Sequence, residues 1–143
     1  MTDKTNWGPG PWQNEPDELA FTYNGHRCLI LRNHSVGNLC GYVCIEPGEY
    51  GYGKSYSALD VSVHGGLTFG GYPKGWIDFP PLPESAGEPW VVGFDCAHLH
   101  DLCPGMDTNS FLPGIYRDLD YVKSELMQLV DQLITLDQNK ENQ

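Results

Sequence analysis

The sequence predicts an α+β fold: a mainly antiparallel twisted sheet with one long C-terminal helix packed on one face. Three observations carry this expectation. An Asn-Gly pair at 24–25 separates two apolar runs, which is the favoured two-residue hairpin signal. Seventeen glycines and eleven prolines in 143 residues demand many turns and loops, which points to a β-rich or α+β architecture. From Leu119 onward the apolar residues recur every three and four positions, the helical period.

Each element follows in chain order. Residues 1–18 read as an irregular arm, because Gly8-Pro9-Gly10-Pro11 and Pro16 oppose regular structure. Trp7 and Trp12 are expected to pin this arm to a single domain over 19–137, since large rings favour burial. Leu19–Tyr23 and Arg27–Arg32 form the hairpin around Asn24-Gly25. Cys28–Leu31 is apolar throughout, which predicts burial on both faces. A turn around Gly37 leads to a strand over Leu39–Glu46, ended by Pro47-Gly48. Glu49–Tyr56 is a Tyr/Gly loop that presents rings, and Leu59–Phe69 is expected to contain a fourth strand centred on Val61–Val63. Gly70–Pro89 carries five prolines and is too long for a routine connection. Trp90–Asp95 is a further strand, and His98–Pro113 a second irregular stretch. The helix should run from Asp118 to about Asp137, with Asp118 or Asp120 at its positive end. Residues 138–143 are expected to fray.

Composition narrows the function classes. Hydrophobic residues make up 40% of the chain and aromatics 12%, enough for a core without disulfide or metal. The formal net charge is −11, with eight Lys and Arg. Nucleic-acid and anionic membrane surfaces are therefore disfavoured. A small anion remains compatible, because one Arg with backbone N–H groups can hold a phosphate. The five cysteines are odd in number, and Met1–Trp7 is not an apolar leader. These features predict reduced thiols in a cytoplasmic protein. No run has the length of a membrane span.

Two stretches hold most of the chemistry. In the first, Asp60-Val-Ser-Val-His64-Gly65-Gly66-Leu67-Thr68-Phe69-Gly70-Gly71, a strand would place Asp60, Ser62 and His64 on one face and the valines in the core. Gly65-Gly66 permits close approach of a backbone or ligand. In the second, Asp95 ends the apolar strand from Trp90, and His98, His100 and Asp101 follow at once. A carboxylate there either caps the next turn or faces a site. His98-Leu99-His100 has a spacing that suits a metal, with Asp101, His64 or Cys103 as further ligands. Against it, C-x-x-C and H-E-x-x-H are absent, so neither metal nor cofactor is expected. Buried thiols are mostly inert packing. Tyr50, Tyr52, Tyr56, Tyr72 and Trp76 either stack on a planar ligand or cover a thin core. Arg117 either contacts an anion or pairs with Asp118 or a neighbour.

Several motifs together resemble a family of small uncharacterised proteins of bacteria and bacteriophages. They are Gly10-Pro11-Trp12 with Asn14-Glu15-Pro16-Asp17, Leu39-Cys40-Gly41-Tyr42-Val43, Gly53-Lys54-Ser55-Tyr56, Val63-His64-Gly65-Gly66-Leu67-Thr68-Phe69, Gly93-Phe94-Asp95-Cys96-Ala97-His98 and Tyr116-Arg117-Asp118-Leu119-Asp120-Tyr121-Val122-Lys123. The resemblance spans almost the whole chain and implies no particular activity. It leads one to expect a small residue and a glycine before Asp101, where this chain has Leu99-His100. His100 is therefore a poor ligand candidate.

The expectation is a ligand-binding protein whose pocket lies where the two stretches meet. Asp60, His64, Gly65, Gly66, Asp95, His98, Asp101 and Tyr56 are its candidate contacts. The expected partner is a small molecule, nucleotide-derived in its most specific form and held by sequestration, as suits a phage setting. Neither nucleic acid nor membrane is expected, and a homo-oligomer with a shared site is compatible. The alternatives are a hydrolase using His/Asp acid–base chemistry and an acidic protein-binding inhibitor.

Overall fold

A computed structural model describes residues 2–73, 88–106 and 114–141. Among the described residues five strands form one sheet: β1 (Glu18–Tyr23), β2 (His26–Arg32), β3 (Leu39–Ile45), β4 (Phe69–Gly71) and β5 (Trp90–Asp95). The order is β1-β2-β3-β5-β4, and every neighbouring pair is antiparallel. One helix, α1 (Leu119–Glu141), packs against the sheet. The α+β expectation holds.

The hairpin turn follows from its two residues. Asn24 and Gly25 have φ of 47° and 82°, the paired left-handed values of a turn that matches strand twist. Cys28, Leu29 and Ile30 are all buried, because β2 has strands on both sides and apolar residues on both faces. Ile30, Val43, Val92 and Phe94 meet Val122, Leu126, Leu129 and Leu133 of the helix. The opposite face carries a smaller cluster of Leu29, Cys44 and Val91, flanked by Leu31, Tyr42 and Phe69.

The expected fourth strand is replaced by a strap. Residues 59–67 lie outside the sheet, and only Phe69–Gly71 pair with β5. The other side of β5 is already taken by β3. The strap's backbone finds partners on the helix instead. Ser62 N–H donates to Gln132 Oε1 at 2.7 Å, and Gln132 Nε2 donates back to Ser62 O at 2.8 Å. His64 N–H donates to Glu125 Oε1 at 2.8 Å. One side-chain amide thus does the work of a neighbouring peptide, and Val61 and Val63 still reach the core.

The arm is docked, as the two tryptophans suggest. Trp12 is buried and meets Tyr116 edge-on at 5.0 Å between ring centroids. The Trp7 ring lies where a side chain on Gly37 would go. Pro11–Gln13 form a single 3-10 turn, which tolerates proline at its first position. The C-terminal expectation needs correction. The helix continues through Gln138 to Glu141. Asp137 accepts from Tyr50 N–H at 2.8 Å, and Lys140 donates to Gly48 O at 2.7 Å. These contacts hold the last turns that helical periodicity alone would leave to fray. Most of the proline-rich segment expected over 70–89, with Trp76, lies outside the described residues, as do residues 107–113.

All five cysteines are free. Burial pushes the Cys28 thiol up to about 12 and those of Cys40 and Cys44 to about 11. They remain neutral thiols at neutral pH, as inert packing requires. Among the described residues no helix is long and apolar enough to cross a membrane.

Candidate functional site

The two stretches meet twice. The first meeting is a closed hydrogen-bonded node. The strap turns at Gly65 and Gly66, with φ of +68° and +81°. A β-carbon on Gly65 would fall 2.2 Å from His98 Nε2, so only glycine lets the His98 ring approach here. The turn aims His64 at Asp101: Nε2 lies 2.8 Å from Oδ2 and 3.0 Å from Oδ1. Asp101 also accepts from His98 N–H at 3.0 Å and Arg117 Nε at 3.0 Å. Its side chain is 1% exposed. Burial would raise this carboxyl, but the bonds from His64, His98 N–H and Arg117 together hold it below the usual carboxylate value.

An ionised carboxylate only accepts, so His64 Nε2 carries the proton that faces Asp101. In the neutral ring, Nδ1 then accepts from the Tyr121 hydroxyl 2.7 Å away. Arg117 lies over the Tyr121 ring, 4.8 Å from its centroid. Tyr121, His64 and Asp101 thus have the connectivity of a nucleophile–base–carboxylate relay. The hydroxyl is not activated, however. Burial first, then the Glu125 charge, push Tyr121 above the ordinary phenol value despite Arg117.

The second meeting lines a recess of about 400 Å³ on the sheet face away from the helix. Thr68 and Phe69 come from the first stretch; Phe94, Asp95 and Ala97 come from the second. Thr68 Oγ1 donates to Asp95 Oδ2 at 2.9 Å, and Ala97 N–H donates to Oδ1 at 3.1 Å. Asp95 therefore both caps the turn and faces the recess. His98 Nε2 stands 3.3 Å from Asp95 Oδ1, a contact that becomes an ion pair only on protonation. The β3 residues Cys40 and Tyr42 form part of the wall, with Asn33, Val36 and Asn38 beside them.

Of the eight expected contacts, the structure brings His64, Gly65, His98 and Asp101 together and joins Asp95 to them through His98. Gly66 is the second turn residue, with open space around it. Asp60 and Tyr56 stand apart. Asp60 is exposed and uses its backbone N–H on Tyr50 Oη. Tyr56 begins a one-turn 3-10 helix over Tyr56–Ala58 and is 39% exposed. The strand that would have aligned Asp60 with His64 does not form. His100 is exposed and ends in the left-handed region at φ 76°. Among the described residues no three His, Cys, Asp or Glu are gathered to hold a metal ion.

Tyr121, Glu125, Asn38 and Tyr42 were not foreseen. Tyr121 and Glu125 are four residues apart, so they share a helix face, a signal present in the sequence. Cys40 and Tyr42 alternate with the core positions Leu39, Gly41 and Val43, and that too could have been read. Arg117 pairs with Asp101, not with Asp118. A wider groove of about 1210 Å³ adjoins the recess beneath the arm and shares Asn33, Cys40 and Tyr42 with it. Its cations are engaged: Arg32 with Glu15 and Asp17, Lys4 with Asp17.

Comparison with protein-family models, curated proteins and solved structures gives no match.

Proposed function

We propose that the protein binds a small, nucleotide-derived molecule and holds it unchanged. The observation that carries this reading is the recess of about 400 Å³ lined by both chemistry-bearing stretches. That volume is in the range of ligand sites. The same two stretches also form the closed His64–Asp101 node. Sequestration within a reducing cytoplasm, in a phage or bacterial setting, suits the neutral thiols and the family resemblance.

The ligand's contacts run through its base and sugar more than its phosphates. Each described cation has a partner inside the molecule. Arg27 meets Glu46, Lys54 and Lys123 lie over Tyr50 and Phe21, and Lys140 meets Gly48 O and Asp137. Incubation with mono-, cyclic and dinucleotides, then denaturation and chromatography, tests the reading. Stoichiometric recovery of an intact nucleotide is the expected result. Recovery of a cleaved product overturns sequestration.

The second reading is a hydrolase, favoured by the Tyr121–His64–Asp101 connectivity. Turnover abolished by both Tyr121→Phe and His64→Gln would support it. The raised Tyr121 phenol and the near-complete enclosure of Asp101 weigh against it.

A further inference from the structure

We infer that the recess selects a planar, amino-bearing group, neutral or cationic, through paired acceptors contributed by Asn38 and Asp95. The inference rests on the proposal that this recess is the ligand site, and it names the chemistry the site takes.

Asn38 is only 3% exposed, where the turn after β2 enters β3. Its Nδ2 faces two acceptors, Leu39 O at 3.4 Å and Cys40 Sγ at 3.6 Å. That arrangement fixes the amide's orientation. Its Oδ1 is buried and has no hydrogen-bond partner among the described residues. A buried acceptor left unmatched is costly, so such atoms in folded proteins usually meet a donor. Asn38 is among the recess-lining residues, and an N–H from a ligand supplies the missing donor.

Asp95 provides the second acceptor. It pairs in register with Cys40, the second residue after Asn38. The two acceptors therefore sit at the same end of adjoining strands. Among the described residues Asp95 Oδ1 accepts from Ala97 N–H and Oδ2 from Thr68 Oγ1. An ionised carboxylate has about four acceptor positions, so capacity remains. Among the described residues no Lys or Arg lines the recess. A carboxylate or phosphate entering it would face the Asp95 charge, whereas an amidinium or aromatic amine would be drawn to it.

The walls favour a flat group. The rings of Tyr42 and Phe69 meet edge to face at 5.9 Å and 89°. The Tyr42 ring occupies the place that a side chain on Gly93 would need, 2.4 Å from its would-be β-carbon. Ring-lined clefts with a few convergent polar atoms orient planar ligands.

Three probes of one shape separate the possibilities: benzamidine, benzamide and benzoate, titrated into the isotope-labelled full chain and followed by amide chemical shifts. The expected order is benzamidine, then benzamide, with benzoate inert. The shifts should fall at the Asn38 side-chain amide and at Thr68 and Ala97. Asn38→Ala should weaken benzamidine about ten-fold, as fits loss of one hydrogen bond to a charged donor. Should that variant not fold by circular dichroism, Asp95→Asn is read instead. It should weaken benzamidine at least ten-fold and leave benzamide within two-fold. Benzoate binding the recess as well as benzamidine overturns the inferred selectivity but leaves a ligand site in place. No recess shift with any probe at millimolar concentration overturns both the selectivity and the placement of the site.

Discussion

At position 100 a histidine holds a backbone φ of 76°, which costs an L-residue about 1–2 kcal/mol. Glycine adopts this region without that cost. His100 O accepts from Ile115 N–H at 2.7 Å, a backbone bond that survives substitution. His100→Gly should therefore stabilise the protein by about 0.5–1 kcal/mol, the strain relieved less the added unfolded-state entropy of glycine. Chemical denaturation measures it, and a less stable variant would refute the strain argument. Gly65 makes the opposite case. Any side chain there meets the His98 ring and must also adopt φ +68°. Both positions were visible in the sequence as part of a motif, yet neither φ can be read from residue identity alone.

Helix α1 is the element the sequence specified best. Its apolar residues at 122, 126, 129, 130 and 133 are buried against the sheet. Asp118 caps it: Oδ1 accepts from Tyr121 N–H at 2.9 Å, and its carbonyl accepts from Val122 N–H at 3.0 Å. Asp118→Ala should cost about 0.5–2 kcal/mol. Leu126→Ala should cost about 2–5 kcal/mol, because the fully enclosed side chain leaves a cavity. Urea titrations should show the two losses separately, and a Leu126→Ala cost below that of the cap would contradict the packing described. The pattern over Leu59–Phe69 predicts a strand where the strap lies, for a definable reason. Alternating valines report which side faces the core, but not which group answers the backbone. Here Gln132 and Glu125 answer it from the helix.

Across the whole molecule, the arm, the loop before the helix and the helix start are joined by buried charge. Arg32, with a fully enclosed side chain, meets Glu15, Asp17, Gly37 O and the Tyr116 hydroxyl. Glu15 in turn accepts from Leu119 N–H at 2.8 Å and from Tyr116. Burial would raise Asp17, yet bonds from Thr2, Lys4 and Arg32 hold it far below its ordinary value. Asp101 is depressed in the same direction. For both groups the unfolded chain binds the proton more tightly than the folded one. Their stabilisation is present above the unfolded value of about 4 and is lost as pH falls through the folded values. The melting temperature should therefore fall steadily on acidification below about pH 4. Asp101→Asn should flatten that acid limb, and an unchanged slope would show that Asp101 does not contribute to it.

The sequence by itself determined the hairpin, the α+β class, the core strands and the helix, because turn chemistry and hydrophobic period are local properties. It also singled out His64, Asp95, His98 and Asp101, since polar groups that end apolar runs are visible in one dimension. Only the tertiary structure decided how they are used. His64 meets Asp101 across 37 positions and Tyr121 across 57, and Asn38 comes beside Asp95 only through the pairing of β3 with β5. Closure of one meeting point and openness of the other depend on which strands and straps become neighbours. That is settled by packing over the whole chain, which no local pattern contains.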